Sequence, residues 1–142
     1  MIGEFQFDVF NIGGGTPTVL SSQDLESLLA IVQQQFISTA CEEITVEAGR
    51  PDTLSLEKLQ LMQEAGVNRV CINPQTMNDA TLRRIGRKHD AEGVVQSVEW
   101  ARKAGIKKIN MDLIVGLPGE VIREIMHTAE EIKIGTGEHY AP

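Results

Sequence analysis

The sequence predicts an α/β fold: about four parallel strands with helices on their outer side. Three observations predict it. Short apolar, β-branched runs alternate with longer segments whose apolar residues recur at helical spacing. Each change of pattern falls at a turn signal, most often glycine. Two phrases, Glu64-Ala65-Gly66-Val67-Asn68-Arg69-Val70 and Lys103-Ala104-Gly105-Ile106-Lys107-Lys108-Ile109, repeat one unit of helix end, glycine and new strand.

The elements follow in order. Phe5 to Ile12 reads as a first strand, and Gly13-Gly14-Gly15-Thr16-Pro17-Thr18 is its exit loop. Three glycines can take backbone angles that a Cβ forbids and can let main-chain N–H groups approach a ligand. Ser21-Ser22-Gln23-Asp24 offers an N-cap to a helix carrying Leu25, Leu28, Leu29, Val32 and Phe36 and ending near Ser38. Glu43 to Ala48 is a second strand, rich in β-branched residues. Gly49-Arg50-Pro51-Asp52-Thr53 follows it. Ser55 caps a helix with Leu56, Leu59 and Met62 inward, and Gly66 stops it. Val67 to Asn73 is a third strand with Pro74-Gln75-Thr76 as exit loop. Asn78 caps a short helix through Ile85, and Asp90 caps a longer one with Val94, Val95, Val98 and Ala101 inward. Lys107 to Val115 is a fourth strand, Gly116 to Glu120 its exit loop, and a last helix runs from about Val121 to Ile132. Residues 1–134 are thus expected to form one domain core. Residues 135–142 show no periodicity and are expected to be a disordered or non-native tail.

Composition narrows the function. The net charge of −7 argues against a nucleic-acid surface. No apolar run approaches a membrane span. Met1-Ile2-Gly3-Glu4 opens with an acid where a signal peptide has basic residues, so a cytoplasmic setting is expected. Cys41 and Cys71 stand thirty positions apart, which is no metal-site spacing, and each reads as a buried structural thiol.

The chemistry should sit at the carboxyl ends of the strands. Those ends carry Asn11, Thr45 with Glu47, Asn73 with Gln75, and Asn110 with Asp112. Residues two apart share a strand face, and charged groups in apolar strands need a partner or water. Each alone has a structural reading: Glu47 could pair with Arg50, and Asp112 with Lys107 or Arg69. A polar cavity above the sheet accounts for all four strand ends at once. Arg87 is the further polar residue singled out, because a guanidinium beside such a cavity can hold a carboxylate. His89 and His127 are expected on the surface. The loop is neither a P-loop nor the dinucleotide fingerprint, since the required Lys-Ser/Thr and third glycine are missing.

The glycine loop closely resembles the SAM-binding motif of radical S-adenosylmethionine (SAM) enzymes, and most of all the oxygen-independent coproporphyrinogen III oxidase group. Glu43-Ile44-Thr45-Val46-Glu47 with Gly49-Arg50-Pro51-Asp52-Thr53 resembles the next block. So do Asn73 to Asn78, Ile85-Gly86-Arg87-Lys88-His89, and Asn110 to Gly119, in order. The Arg-Pro-Asp-Thr wording is similar to the branch called coproporphyrinogen dehydrogenase-like. The resemblance implies a partial (β/α) TIM-like barrel. It implies that Gly14, Gly15 and Thr16 hold the amino end of SAM. By the same resemblance Arg87 meets the SAM carboxylate, and Gln75 and Asp112 serve the ribose hydroxyls. Glu47 joins the same site, and Val115 to Pro118 lie near the adenine.

The family's Cys-x3-Cys-x2-Cys cluster motif is missing. Twelve residues precede Gly13, none of them cysteine, and Cys41 and Cys71 cannot substitute. The chain is therefore expected to be an internal piece, inactive alone, with no metal ligands or catalytic residues of its own and the [4Fe–4S] cluster held elsewhere in the parent protein. The implied parent function is oxidative decarboxylation of coproporphyrinogen III propionates in porphyrin and haem biosynthesis. A haem-binding or trafficking protein without oxidase activity is the alternative. The expected partners are a small-molecule porphyrinogen and a second copy of the chain, paired through an exposed sheet edge, with no nucleic acid and no membrane. Residues such as Val46, Ile72 or Leu113 are expected to be exposed on whichever sheet face was the barrel interior.

Overall fold

A computed structural model describes residues 7–136. Four parallel strands lie in chain order: β1 (Val9–Ile12), β2 (Glu43–Glu47), β3 (Arg69–Cys71) and β4 (Lys108–Asn110). Five helices accompany them: α1 (Ser22–Gln35), α2 (Leu56–Glu64), α3 (Asp79–Arg84), α4 (Ala91–Lys103) and α5 (Ile122–Thr136). The register pairs Asn11 with Thr45, Glu47 with Cys71, and Cys71 with Asn110. β1 and β4 are the two edges.

Local chemistry sets the helix starts. The Ser21, Ser55, Asn78 and Asp90 side chains each accept the N–H three residues on, from Asp24, Lys58, Thr81 and Gly93. Each satisfies one of the donors that a helix N-terminus leaves without a partner. The helix ends at Gly66, Gly86 and Gly105 take φ of 83°, 75° and 86°, the left-handed turn that glycine adopts without strain.

The sheet's two faces differ in kind. Ile44, Val46, Ala48, Val70 and Ile72 point to the helices and pack with Leu25, Leu29, Leu59, Met62, Val98 and Ala101 in one buried cluster. Burial of each large aliphatic contributes roughly 1.5–3 kcal/mol. The alternate positions Glu43, Thr45, Glu47, Arg69, Cys71 and Asn110 form a concave polar face.

Val46 and Ile72 are fully buried under the helices rather than exposed on the inner face, and Leu113 is half-buried. A parallel strand buries one side against its crossover helices, and the other side of these strands is the polar one. Val95 is 45% exposed on α4, while Ser97 takes the buried position beside Val98. The hydroxyl of Ser97 donates to the Gly93 carbonyl at 2.8 Å, so its burial leaves no unpaired group. β4 is shorter than expected, and its continuation is a single bridge between Gln75 and Leu113. α5 runs on to Thr136. Residues 137–142 of the expected tail lie outside the described residues.

Candidate functional site

The strand-exit loops form one rim. At the first, Gly14 and Gly15 have φ of 78° and 55°, and a Cβ on either would meet nothing within 4 Å. Both are open to a ligand. Gly13 is different: a Cβ there would lie 2.8 Å from Glu47 Oε2, so any larger residue would have to displace the carboxylate that holds the Gly14 N–H. Thr16 has φ of 71°, a strained value for a non-glycine residue.

At the second strand, Glu47 Oε2 accepts the Gly14 N–H at 3.3 Å. Arg50, its alternative partner, instead pairs with Asp52 at 3.2 Å. At the third, Gln75 also has positive φ, 68°; its N–H donates to Asp112 O at 3.2 Å and its carbonyl accepts from Ile114 N–H at 2.9 Å. The strained loop is thus held in register with the fourth strand's exit. Asp112 is exposed and forms no ion pair among the described residues. Arg69, one of its alternative partners, pairs with Glu43 at 3.0 Å and donates to Asn110 Oδ1 at 2.7 Å.

Cys71 stands beside Glu47 in the strand register. Burial pushes its thiol pKa up; Arg69 pulls it down, and Asp112 and Glu47 add to the rise. The thiol stays protonated near neutral pH, which suits neither a nucleophile nor a thiolate ligand. Both cysteines are free and half-buried.

The structure therefore brings together Gly14, Glu47, Gln75 and Asp112, with Gly15 and Thr16 on the same loop. Arg87 lies in the turn between α3 and α4, half-buried and without an ion pair among the described residues. That turn is tied to the rim two residues on. His89 is not on the surface: its side chain is 1% exposed, and Nε2 meets the Pro74 carbonyl at 3.2 Å. Its Nδ1 lies 3.9 Å from Asp52 and has no hydrogen-bond partner. His89 thereby sits between the second and third exit loops, bonded to Pro74 and next to Asp52. The sequence clue was its place in the Ile85–His89 motif, which an unconstrained surface histidine would not need.

Asn73, expected among the polar strand ends, has a buried Oδ1 with no hydrogen-bond partner. Sequence reasoning passed over Lys58, which with the Thr18 and Thr53 side chains lies behind the glycine loop. The third and fourth loops are joined by Thr76 to Glu120 at 2.5 Å, Asn78 to Glu124 at 2.7 Å, and Arg84 to the Pro118 carbonyl at 2.5 Å. Beyond them Ile114 and Val115 are exposed. Among the described residues no three His, Cys, Asp or Glu side chains come together to hold a metal. No described helix is long and apolar enough to cross a membrane.

Comparison with known proteins agrees with this architecture. The Radical SAM superfamily model matches residues 1–132. The oxygen-independent coproporphyrinogen-III oxidase-like protein HemZ of Bacillus subtilis is 42% identical over 120 residues, 84% of this chain and 24% of that protein. The heme chaperone HemW of the same organism is 41% identical over 131 residues, 92% of this chain and 34% of that one. The solved structure of coproporphyrinogen III oxidase (HemN) from Escherichia coli superposes with a TM-score of 0.81 at 26% identity, covering 92% of this chain and 30% of that chain. The chain thus spans about a quarter to a third of the length of these relatives. A parallel arc with a polar rim, matched by the family model over nearly its whole length, makes the chain a member of the radical SAM superfamily, with the α/β architecture of its TIM-like barrel.

Proposed function

We propose that the rim binds S-adenosyl-L-methionine, and that the parent protein is an oxygen-independent coproporphyrinogen III oxidase in which this stretch positions the cofactor. One observation carries the reading: four strand-exit loops converge, and Glu47, Arg87 and Asp112 form no ion pair among the described residues. Glu47 accepts one N–H and keeps acceptor capacity for an ammonium. Arg87 can take a carboxylate. Asp112 and Gln75 can take ribose hydroxyls, and the exposed Ile114 and Val115 offer an apolar surface to adenine. SAM supplies radical chemistry when bound; the residues here bind and orient it. The proposal carries with it a cytoplasmic setting and a porphyrinogen substrate.

Calorimetry with SAM tests the site. The isolated chain should bind with high-micromolar to millimolar affinity, roughly 4–6 kcal/mol. Asp112→Ala and Arg87→Ala should each weaken it, and unchanged binding in both would place the ligand elsewhere. A second reading, a haem chaperone without oxidase activity, is favoured by the relatives that carry that name at 41–42% identity. Anaerobic turnover of coproporphyrinogen III by the intact parent, set against its haem titration, separates the two. A homodimer, if formed, should pair through the β1 edge, because the concave face is polar. Val9 there is 56% exposed, and Val9→Lys should lower the sedimenting mass.

A further inference from the structure

Lys58 stands where its own helix does not want it. Ser55 caps α2, and Lys58 is the third helical residue. The capping pattern places Glu or Gln there, and the helix dipole opposes a cation in the first turn. A local account of α2 therefore does not explain the residue.

Its contacts do. The ammonium donates to the Thr18 carbonyl at 2.6 Å and to the Thr53 carbonyl at 3.2 Å. Thr18 is fully buried at the end of the glycine loop, and Thr53 closes the 3₁₀ turn after the second strand. The two threonine hydroxyls also meet, at 2.6 Å. Thr53 Oγ1 donates its one hydrogen to the Arg50 carbonyl at 2.8 Å, so Thr18 must be the donor between the hydroxyls. A charge-assisted pair of bonds and a hydroxyl relay thus join the first two exit loops from behind. On the open side of the loop, a Cβ on Gly14 or Gly15 would meet nothing within 4 Å, and the Gly14 N–H donates to Glu47.

We propose that Lys58 is a positioning residue: it holds the glycine loop in its binding shape through the Thr18 carbonyl, without touching the ligand. This rests on the SAM reading of the rim for its functional meaning, and the test separates the two. The amides of Val19 and Leu20 bond to the Thr16 and Pro17 carbonyls at 3.1 and 3.2 Å, so their hydrogen exchange reports loop order with no ligand present. Lys58→Met keeps the stem and removes the donors. It should speed exchange at both amides roughly ten-fold more than Val98→Ala, a core control away from the loop. Lys58→Arg, which can still donate to two carbonyls, should restore protection. SAM affinity should fall by about the same factor in Lys58→Met and hold in the control. Exchange in Lys58→Met that equals wild type, or merely matches the control, overturns the proposal. If wild type binds no SAM, the SAM reading falls, and slow wild-type against fast Lys58→Met exchange still upholds the holding role.

Discussion

The foot and the rim of the concave face are both charged, yet they use their charges differently. At the foot, Glu43 is held by Arg69 at 3.0 Å, by Lys108 at 2.7 Å and by the Thr45 hydroxyl at 3.3 Å. Arg69 goes on to Asn110. Every strong donor there faces an acceptor, and the cluster closes on itself. At the rim, Asp112 and Arg87 have no ion partner among the described residues, and the Asn73 Oδ1 is buried without a bond. A closed cluster contributes stability. An open one costs stability and leaves groups for a ligand. The paired charges thus sit toward the amino ends of the strands and the unpaired ones beyond their carboxyl ends, the end at which β/α barrels carry their sites.

Breaking the foot should have the largest effect. Glu43→Ala leaves Arg69 and Lys108 facing each other without their shared carboxylate, and should destabilise the chain by roughly 1–3 kcal/mol in urea. A change below about 0.5 kcal/mol would show that the cluster is solvated and idle. The next effect is at the glycine loop. Gly14→Ala forces a Cβ into φ of 78°, costing about 1 kcal/mol although nothing lies within 4 Å. Equal stability would mean that the loop relaxes to another shape.

The Lys108 and Arg69 hydrogen bonds draw the Glu43 pKa down from 4.5 to about 2. The native state then holds fewer protons than the unfolded one across that interval. The stabilisation is complete above pH 4.5 and is lost as pH falls through about 2. Glu43→Gln should flatten this part of the acid denaturation curve, and an unchanged slope would assign it to other carboxylates. The smallest stability effect should come from the rim. Asp112→Ala should shift stability by less than about 0.5 kcal/mol, because the side chain is exposed and unpaired. A loss as large as that of Glu43→Ala would erase the distinction between foot and rim.

Short-range rules made much of this legible in advance. Caps at Ser21, Ser55, Asn78 and Asp90 and glycine stops at Gly66, Gly86 and Gly105 are local chemistry, so the capped helices began, and the glycine-stopped ones ended, near where the pattern put them. The period-two alternation placed Glu47 with Thr45, and Asn110 with Asp112, on shared faces before any neighbour was known. Which partner each charge takes was not legible. Glu47 goes to the Gly14 amide instead of Arg50, and Arg69 goes to Glu43 instead of Asp112, because strand register decides which long side chains meet. The same holds for Val95 and His89. The helical period made Val95 look buried, but the cleft beside α5 leaves it open, and a motif histidine read as surface is enclosed by Pro74 and Asp52. Lys58 is the extreme case. Its helix position argues against a cation, and only two carbonyls brought together from loops 40 and 5 residues away in sequence explain it.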